Sequence, residues 1–345
     1  MSGKKIRNME DFAAAAGISR PTISKYFQDP SSVRASTRQR IEEALARHNY
    51  QPNIFAVNLN RRNPRNIGVI VPHISDPFYA EIVRQIEISS LRQGYWAIVL
   101  SSHGEPDLEA KAIQMLQSLK LSGAVVAPLG YESDAGLIRE LRQAMPLVFL
   151  DSRAAEDQPF VGTDNAQSVS LMVEYLCRTG ERPCFLEMPR VNRNATERRA
   201  AYERAMANLG FEAHVLSVES ADWDFETVGF EETNKILARG GFPTRSVLCA
   251  NDRLAFGVMA AAYQRGLKIG RSADADLRVA GHDDHPLSRY TCPALTTVAQ
   301  DYSGLATTSL KRLLDMIGKS DETPSKTEPA GPTLLEAKLI MRDSA

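Results

Sequence analysis

Asn8-Met9-Glu10-Asp11-Phe12-Ala13-Ala14-Ala15-Ala16-Gly17-Ile18-Ser19-Arg20-Pro21-Thr22-Ile23-Ser24-Lys25-Tyr26-Phe27-Gln28 holds two helix starts separated by one helix stop. Asn8 offers a side-chain oxygen to cap a helix over Met9 to Ala16, with the acidic Asp11 at its third position. Gly17 ends that helix, because glycine takes the left-handed backbone without a Cβ penalty. Ser19 then caps a second helix to about Gln28, with Pro21 in its first turn, where proline is tolerated. Helix, short glycine-containing turn and helix make a helix-turn-helix. Phe12, Ala16, Ile18, Ile23 and Phe27 are spaced to form the seam between the two. A third helix is expected beyond, with Ser36 and Gln39 as a capping box and Ile41, Leu45 and His48 as its inward stripe.

Charge gives this segment a direction. Residues 1–65 carry twelve Lys and Arg against five Asp and Glu, a net +7, which leaves −8 for the rest of a 345-residue chain of net charge −1. A basic head on an acidic body implies a module for a polyanion; a merely solvated basic surface is the bland alternative. In a helix-turn-helix the second helix enters the major groove with its N-terminal residues on the base edges. Those are Arg20, Pro21, Thr22 and Lys25. Arg and Lys can donate to guanine O6 and N7, and Thr22 and Ser24 suit phosphate or base contacts. An isolated Arg20 or Lys25 reads as a solvated charge; inside the motif it reads as a contact. Pro21 has no side-chain donor, so base reading falls on Arg20 and Lys25.

From Ile67 short apolar runs alternate with amphipathic stretches. The runs are Ile67–Val71, Ala97–Leu100, Ala124–Ala127, Leu147–Leu150, Pro183–Met188, Val247–Ala250 and Arg278–Gly281. Strands alternating with helices imply parallel sheets covered on both faces, in an α/β body. Two such halves are expected. The first ends near Asp151–Val161, and the second starts at the helix after Asp164-Asn165. In open α/β sheets ligands bind at the carboxyl ends of the strands, which singles out Asp76 to Tyr79, Asp151, Asn192 to Arg198, Asn251-Asp252 and Asp283. Vicinal hydroxyls need carboxylate, amide and guanidinium partners plus an aromatic face. Asp151, Asp283, Asn192, Asn194, Asn251, Arg198 and Trp223 form such a set, so a sugar is the expected ligand. A nucleobase, which would also use aromatics and Asp283, is the alternative. Taken singly, Asp151 and Asp283 also read as helix caps, and Trp223 as core.

The rest of the sequence narrows the function classes. A hydrophobic share of 43% and a charged share of 24% describe a globular chain. No run is apolar enough for a membrane span, and the first residues lack the apolar region of an export signal, so a cytoplasmic protein without membrane association is expected. GxGxxG after a strand, GxxxxGK[ST], GxSxG and HExxH are all absent, so an enzyme is not expected. Cys177, Cys184, Cys249 and Cys292 form no CxxC pair and read as buried free thiols. His282-Asp283-Asp284-His285 is weak evidence for a metal, and neither metal nor cofactor is expected.

The head motifs resemble those of the LacI/GalR family of repressors: Asp11-Phe12-Ala13, Ala16-Gly17-Ile18-Ser19, Thr22-Ile23-Ser24-Lys25, Thr37-Arg38, Ile41 and Asn49-Tyr50-Gln51-Pro52-Asn53, in order. Ile67-Gly68-Val69, Asp76-Pro77-Phe78-Tyr79, Phe149-Leu150-Asp151, Ala250-Asn251-Asp252, Gly281-His282-Asp283-Asp284 and Pro293-Ala294-Leu295-Thr296-Thr297 with Gln300-Asp301-Tyr302 extend the resemblance through the body. It implies a helix-turn-helix head at 1–52, a hinge helix and linker at 53–65, and a two-lobed body of the periplasmic-binding-protein type. The N-terminal lobe would span 66–162 and 296–317, the C-terminal lobe 163–295 and 333–345, with a surface loop at 318–332. DNA contacts would come from Arg20, Pro21, Thr22, Ser24, Lys25, Asn53 and Leu59. The leucine would wedge between base steps of the minor groove, and Val57 departs from the arginine many members carry after the alanine. Effector contacts would come from Phe78, Tyr79, Asp151, Asn192, Asn194, Arg198, Trp223, Asn251, Asp283 and Tyr302. The implied protein is a homodimer on a pseudo-palindromic double-stranded operator, controlled by a small molecule. Whether that molecule releases DNA or acts as co-repressor stays open. The tail lacks heptads, so nothing beyond a dimer is expected.

Overall fold

The computed structural model describes residues 6, 8–51, 64–154, 158–320 and 331–345. Asn53, Leu59 and most of the expected hinge lie outside the described residues.

The head forms α1 (Met9–Ala16), α2 (Arg20–Gln28) and α3 (Ala35–His48). The two caps act as read: Asn8 Oδ1 accepts from the Asp11 amide at 2.8 Å and Ser19 Oγ from the Thr22 amide at 3.4 Å. Gly17 ends α1 at φ 64°. Phe12, Ile23 and Ile41 are fully buried, joined by Ala13, Ile18, Tyr26 and Ala44, with Ala16 and Phe27 half-buried beside them. Two local expectations fail. Arg34 holds the extended cap position of α3, so Ser36 sits inside the first turn and caps nothing; Gln39 Nε2 donates to Glu43 Oε1 at 3.0 Å instead. His48 is exposed, and the inward face of α3 is made by Ile41 and Ala44, with Leu45 half-buried against the same core.

The body begins with β1 (Asn66–Val71), α4 (Pro77–Arg92), β2 (Trp96–Ser101), α5 (Pro106–Ser118), β3 (Gly123–Val126), α6 (Ala135–Ala144), β4 (Leu147–Leu150) and β5 (Phe160–Thr163). It continues with α7 (Asn165–Thr179), β6 (Cys184–Leu186), α8 (Arg193–Asn208), β7 (Val215–Leu216), α9 (Phe225–Ala238), β8 (Ser246–Cys249), α10 (Asp252–Gln264) and β9 (Arg278–Ala280). The chain closes with β10 (Thr297–Ala299), α11 (Tyr302–Ser320), β11 (Thr333–Leu335) and β12 (Lys338–Ile340).

Two parallel sheets result. The first runs β11-β5-β4-β3-β1-β2 and the second β7-β6-β8-β9. Their strands read as continuous apolar runs because both faces are covered. The exceptions are edge strands: β2, whose Trp96 is exposed, the half-buried β7, and β11, whose Leu334 is exposed.

The lobe boundaries differ from expectation in two places. Thr296–Ala299, expected in the first lobe, lies beside the chain that leaves β9 of the second, with the Gly281 amide donating to the Thr296 carbonyl at 2.9 Å and the Asp283 amide to the Val298 carbonyl at 2.8 Å. The other place is the C-terminus. The family resemblance returns Thr333 onward to the second lobe, but Thr333–Leu335 pairs with β5 and extends the first sheet. The crossing comes later in the chain: β12 pairs antiparallel with β10, and Ser344 O accepts from the Val279 amide at 3.0 Å. The α11 helix packs on α4 and on β3 to β5 of the first lobe, and it runs through Ser320, past the expected loop start at Gly318. Among the described residues no helix is long and apolar enough to cross a membrane. All four cysteines are free; Cys184 and Cys249 are buried, but Cys292 is exposed because its turn lies on the surface.

Candidate functional site

The described residues carry two candidate sites. In the head, Arg20, Pro21 and Lys25 are exposed along α2, while Thr22 and Ser24 are half-buried. The Thr22 hydroxyl lies 2.7 Å from Ser19 Oγ, so it completes the helix start. Arg20 Nη1 lies 3.4 Å from Glu10 Oε1, with both side chains more than 60% exposed. An ion pair so hydrated contributes little, and the guanidinium is available to a stronger anion.

The second site is a narrow cleft between the lobes, with a free volume of about 40 Å³. Nine of the ten expected effector residues line it: Phe78, Tyr79, Asp151, Asn192, Asn194, Arg198, Trp223, Asn251 and Asp283. Tyr302 stands behind the wall, its hydroxyl donating to the Asp283 carbonyl at 2.6 Å and its ring 5.3 Å from that of Phe78. Asp76, Met188, Phe225, Arg253 and Gln300 complete the lining.

The strand ends explain the convergence. Asp151 follows β4 and Asp283 follows β9, both at positive φ, 61° and 123°. Aspartate tolerates the left-handed region better than most side chains. Neither caps a helix. The caps are amides: Asn192 Oδ1 accepts from the Ala195 amide at 3.3 Å to start α8, and Asn251 Oδ1 from the Leu254 amide at 2.8 Å to start α10. Each asparagine thus orders a helix start at the cleft wall.

Arg198 is the hub. Its Nε donates to Asn165 Oδ1 at 3.1 Å, its Nη1 to the Ala250 carbonyl at 2.7 Å, and its Nη2 pairs with Asp283 Oδ1 at 3.1 Å. Only 5% of the side chain is exposed. A buried guanidinium needs this many acceptors to offset its lost hydration. The Asp283 oxygen also receives Gln300 Nε2 at 2.7 Å and lies 2.9 Å from His282 Nδ1. Burial pushes the Asp283 carboxyl up, but Arg198 and His282 outweigh it and hold it below the usual value. Burial, then the charge of Arg198, pushes His282 down to about 4. Its ring is therefore neutral at physiological pH, placed between Asp283 and Ser168 Oγ.

Asp151 belongs to the first lobe and answers to both. Its Oδ2 accepts from Tyr79 Oη at 2.8 Å, and its Oδ1 from Asn194 Nδ2 of the second lobe at 3.0 Å. Burial pushes its carboxyl up to about 6, against the lowering effects of Tyr79 and Arg198. Deeper still, Asp252 is fully buried and pushed up to about 7 by desolvation and then by Asp283. It accepts from Ser288 Oγ and Thr297 Oγ1, both at 2.6 Å, and so fixes the loop that carries Asp283.

Arg253 is the functional side chain that the sequence reading missed. It leaves the first turn of α10, pairs with Glu226 of α9 at 2.6 Å, and reaches Asp76 of the first lobe at 3.1 Å. Only its offset of two residues from Asn251 could have pointed to it.

Comparisons with known proteins match both the head and the body. Residues 8–53 match the family described as "Bacterial regulatory proteins, lacI family". Residues 64–284 match "Periplasmic binding proteins and sugar binding domain of LacI family". The HTH-type transcriptional repressor CytR of Escherichia coli (strain K12) is 29% identical, with 97% of this chain and 95% of that protein aligned. The HTH-type transcriptional repressor PurR of Erwinia tasmaniensis is 28% identical over 96% of each. Among solved structures, the lac repressor dimer bound to operator and the anti-inducer ONPF superposes with a TM-score of 0.80 at 26% identity, covering 99% of both chains.

Proposed function

The chain belongs to the LacI family of bacterial regulatory proteins, and we propose that it represses transcription in the cytoplasm as a homodimer whose operator affinity is set by an uncharged, polyhydroxylated effector, a sugar, held between its lobes. The head reads DNA with Arg20 and Lys25 of α2, supported by Pro21, Thr22 and Ser24; the hinge contacts expected of Asn53 and Leu59 belong to the same reading. The exposed edge strand β2, with Trp96, and the neighbouring Ile88 and Leu91 of α4, also exposed, support a second copy as the natural cover.

The observation that carries the effector class is the charge inventory of the cleft. Three carboxylates, Asp76, Asp151 and Asp283, face two guanidiniums, Arg198 and Arg253. Both guanidiniums are already engaged by carboxylates. An anionic ligand would meet a surplus of like charge, whereas hydroxyl groups find acceptors in Asp151 and Asp283. Phe78, Trp223 and Phe225 offer apolar walls for a C–H face. Those same rings favour the second reading, a nucleobase stacked in the cleft with Asp283 accepting from its ring nitrogens.

Effector and operator are linked: a ligand that prefers one arrangement of the lobes shifts DNA affinity by the ratio of its affinities for the two. The test is operator binding by the full chain, titrated with neutral sugars, nucleosides and nucleobases beside their phosphorylated counterparts. A shift with a neutral sugar and none with its phosphate supports the proposal. A shift with a nucleobase alone supports the second reading, and a response confined to phosphorylated compounds contradicts both. The direction of the shift separates induction from co-repression.

A further inference from the structure

Arg253 is anchored on one lobe and bonded to the other. Its Nε donates to both oxygens of Glu226, at 2.8 and 2.9 Å, and its guanidinium lies 5.0 Å from the centre of the Phe225 ring. Glu226 and Phe225 are the first residues of α9, and Arg253 is the second of α10. The two helices are locked backbone to backbone. A Cβ on Gly229 would meet the Leu254 carbonyl oxygen at 2.3 Å, and one on Gly257 the Glu226 carbonyl oxygen at 2.2 Å. The remaining donor, Nη1, crosses the cleft to Asp76 Oδ2 at 3.1 Å. Asp76 is equally fixed: its Oδ1 caps α4 by accepting from the Phe78 amide at 2.9 Å. Burial raises the Asp76 carboxyl while Arg253 opposes it, so the guanidinium favours its ionised form. A second cross-lobe contact lies nearby. The Trp223 ring packs 5.2 Å from that of His73, and its Cδ1 lies 2.5 Å from where a Cβ on Gly104 would stand.

We propose that Arg253 is a positioning residue for effector control: a pre-aimed arm of the C-terminal lobe that clasps Asp76 and favours the closed arrangement of the cleft, in which the Trp223 ring seals against His73 and Gly104. The clasp acts on closure rather than on the identity of the ligand. It stabilises one arrangement of the lobes and lets an effector spend less of its binding free energy on bringing them together. The inference rests on the two-lobe regulatory reading, yet its first readout needs neither effector nor DNA.

The emission readout uses the full chain with Trp96→Phe, so that Trp223 is the remaining tryptophan, and the effector and operator titrations use the chain with Trp96 in place. Arg253→Gln and Asp76→Asn are added singly and together; asparagine keeps a cap on α4, and retained thermal unfolding checks the fold. Each single variant should shift Trp223 emission toward that of a water-exposed indole, and the double variant should go no further than either. Arg253→Lys, which keeps the charge, should restore part of the shift. D-Ribose and cytidine are the effector probes. Whichever binds should lose about tenfold in affinity in either single variant, the scale of one charge-assisted hydrogen bond. Operator affinity should move opposite to the direction in which that probe moves it, whichever direction that is. Unchanged Trp223 emission in both single variants, or effects that simply add in the double variant, would overturn the clasp. If neither probe binds while the emission shifts appear as described, the clasp stands and D-ribose and cytidine are excluded as effectors.

Discussion

Arg20 in the head and Arg198 in the cleft carry the same guanidinium into opposite surroundings. Arg20 is exposed, with one long contact to an equally exposed glutamate. Arg198 is 5% exposed and touches three fixed acceptors from α7, the end of β8 and the loop after β9. The first can give up its partner at almost no cost when phosphate or guanine arrives. The second cannot move without leaving a buried charge uncompensated. A surface that meets a polyanion can use arginine as a loosely held donor; in the cleft the same group is scaffold, fixing the Asp283 carboxylate that the proposed function assigns to the ligand.

The sharpest way to break this contrast is to remove each arginine. Arg198→Ala should cost about 3–5 kcal/mol in the unfolding of the body, because Asp283 is left buried beside unmet acceptors. It should also abolish the effector response, which a denaturant titration and an operator titration check separately. Lys25→Ala and Arg20→Ala should leave unfolding unchanged and weaken operator binding by about 1–3 kcal/mol at one base position. A uniform loss on all DNA sequences would move them to phosphate contacts. Glu10→Ala should alter stability by about 0.5 kcal/mol or less, since its pair with Arg20 is hydrated. A larger change would mean that Arg20 is more firmly held than the geometry indicates.

Asp151 sharpens the cleft side through pH. Its carboxyl is pushed up to about 6 in the folded chain, mainly by burial. A carboxyl raised on folding favours the protonated native state, so its contribution to stability improves as pH falls through about 6 and levels off below the unfolded value. A ligand hydroxyl that donates to it requires the ionised form, so effector affinity should fall over the same interval. Asp151→Asn should flatten that part of the affinity profile; an unaltered profile would remove Asp151 from the hydrogen bonds to the ligand.

Legibility followed the range of the interactions. The head was readable because its signals are local: Asn8, Gly17 and Ser19 act within three residues of themselves. Where a neighbouring extended residue could take the same part, as Arg34 does for α3, the local rule misfired at Ser36. The lining of the cleft was readable where a polar residue closely follows a strand, as at Asp151 after β4 and Asn251 after β8. Arg253 was not, because an arginine in the first turn of a helix looks solvated until the fold brings Asp76 and Glu226 to it. Thr333–Leu335 was misassigned for a related reason: three residues carry no mark of which sheet edge they join, and β5 offered its free edge only in three dimensions.

The central claim is that the cleft and the head share one free-energy coupling. It is tested most directly by measuring, on the same full chain, the operator affinity with and without the neutral compound that binds the cleft, and that compound's affinity with and without saturating operator. The account predicts that the two ratios are equal, because coupling between binding sites is reciprocal. A compound that occupies the cleft, loses binding on Asp283→Ala, and yet leaves both ratios at one would contradict it.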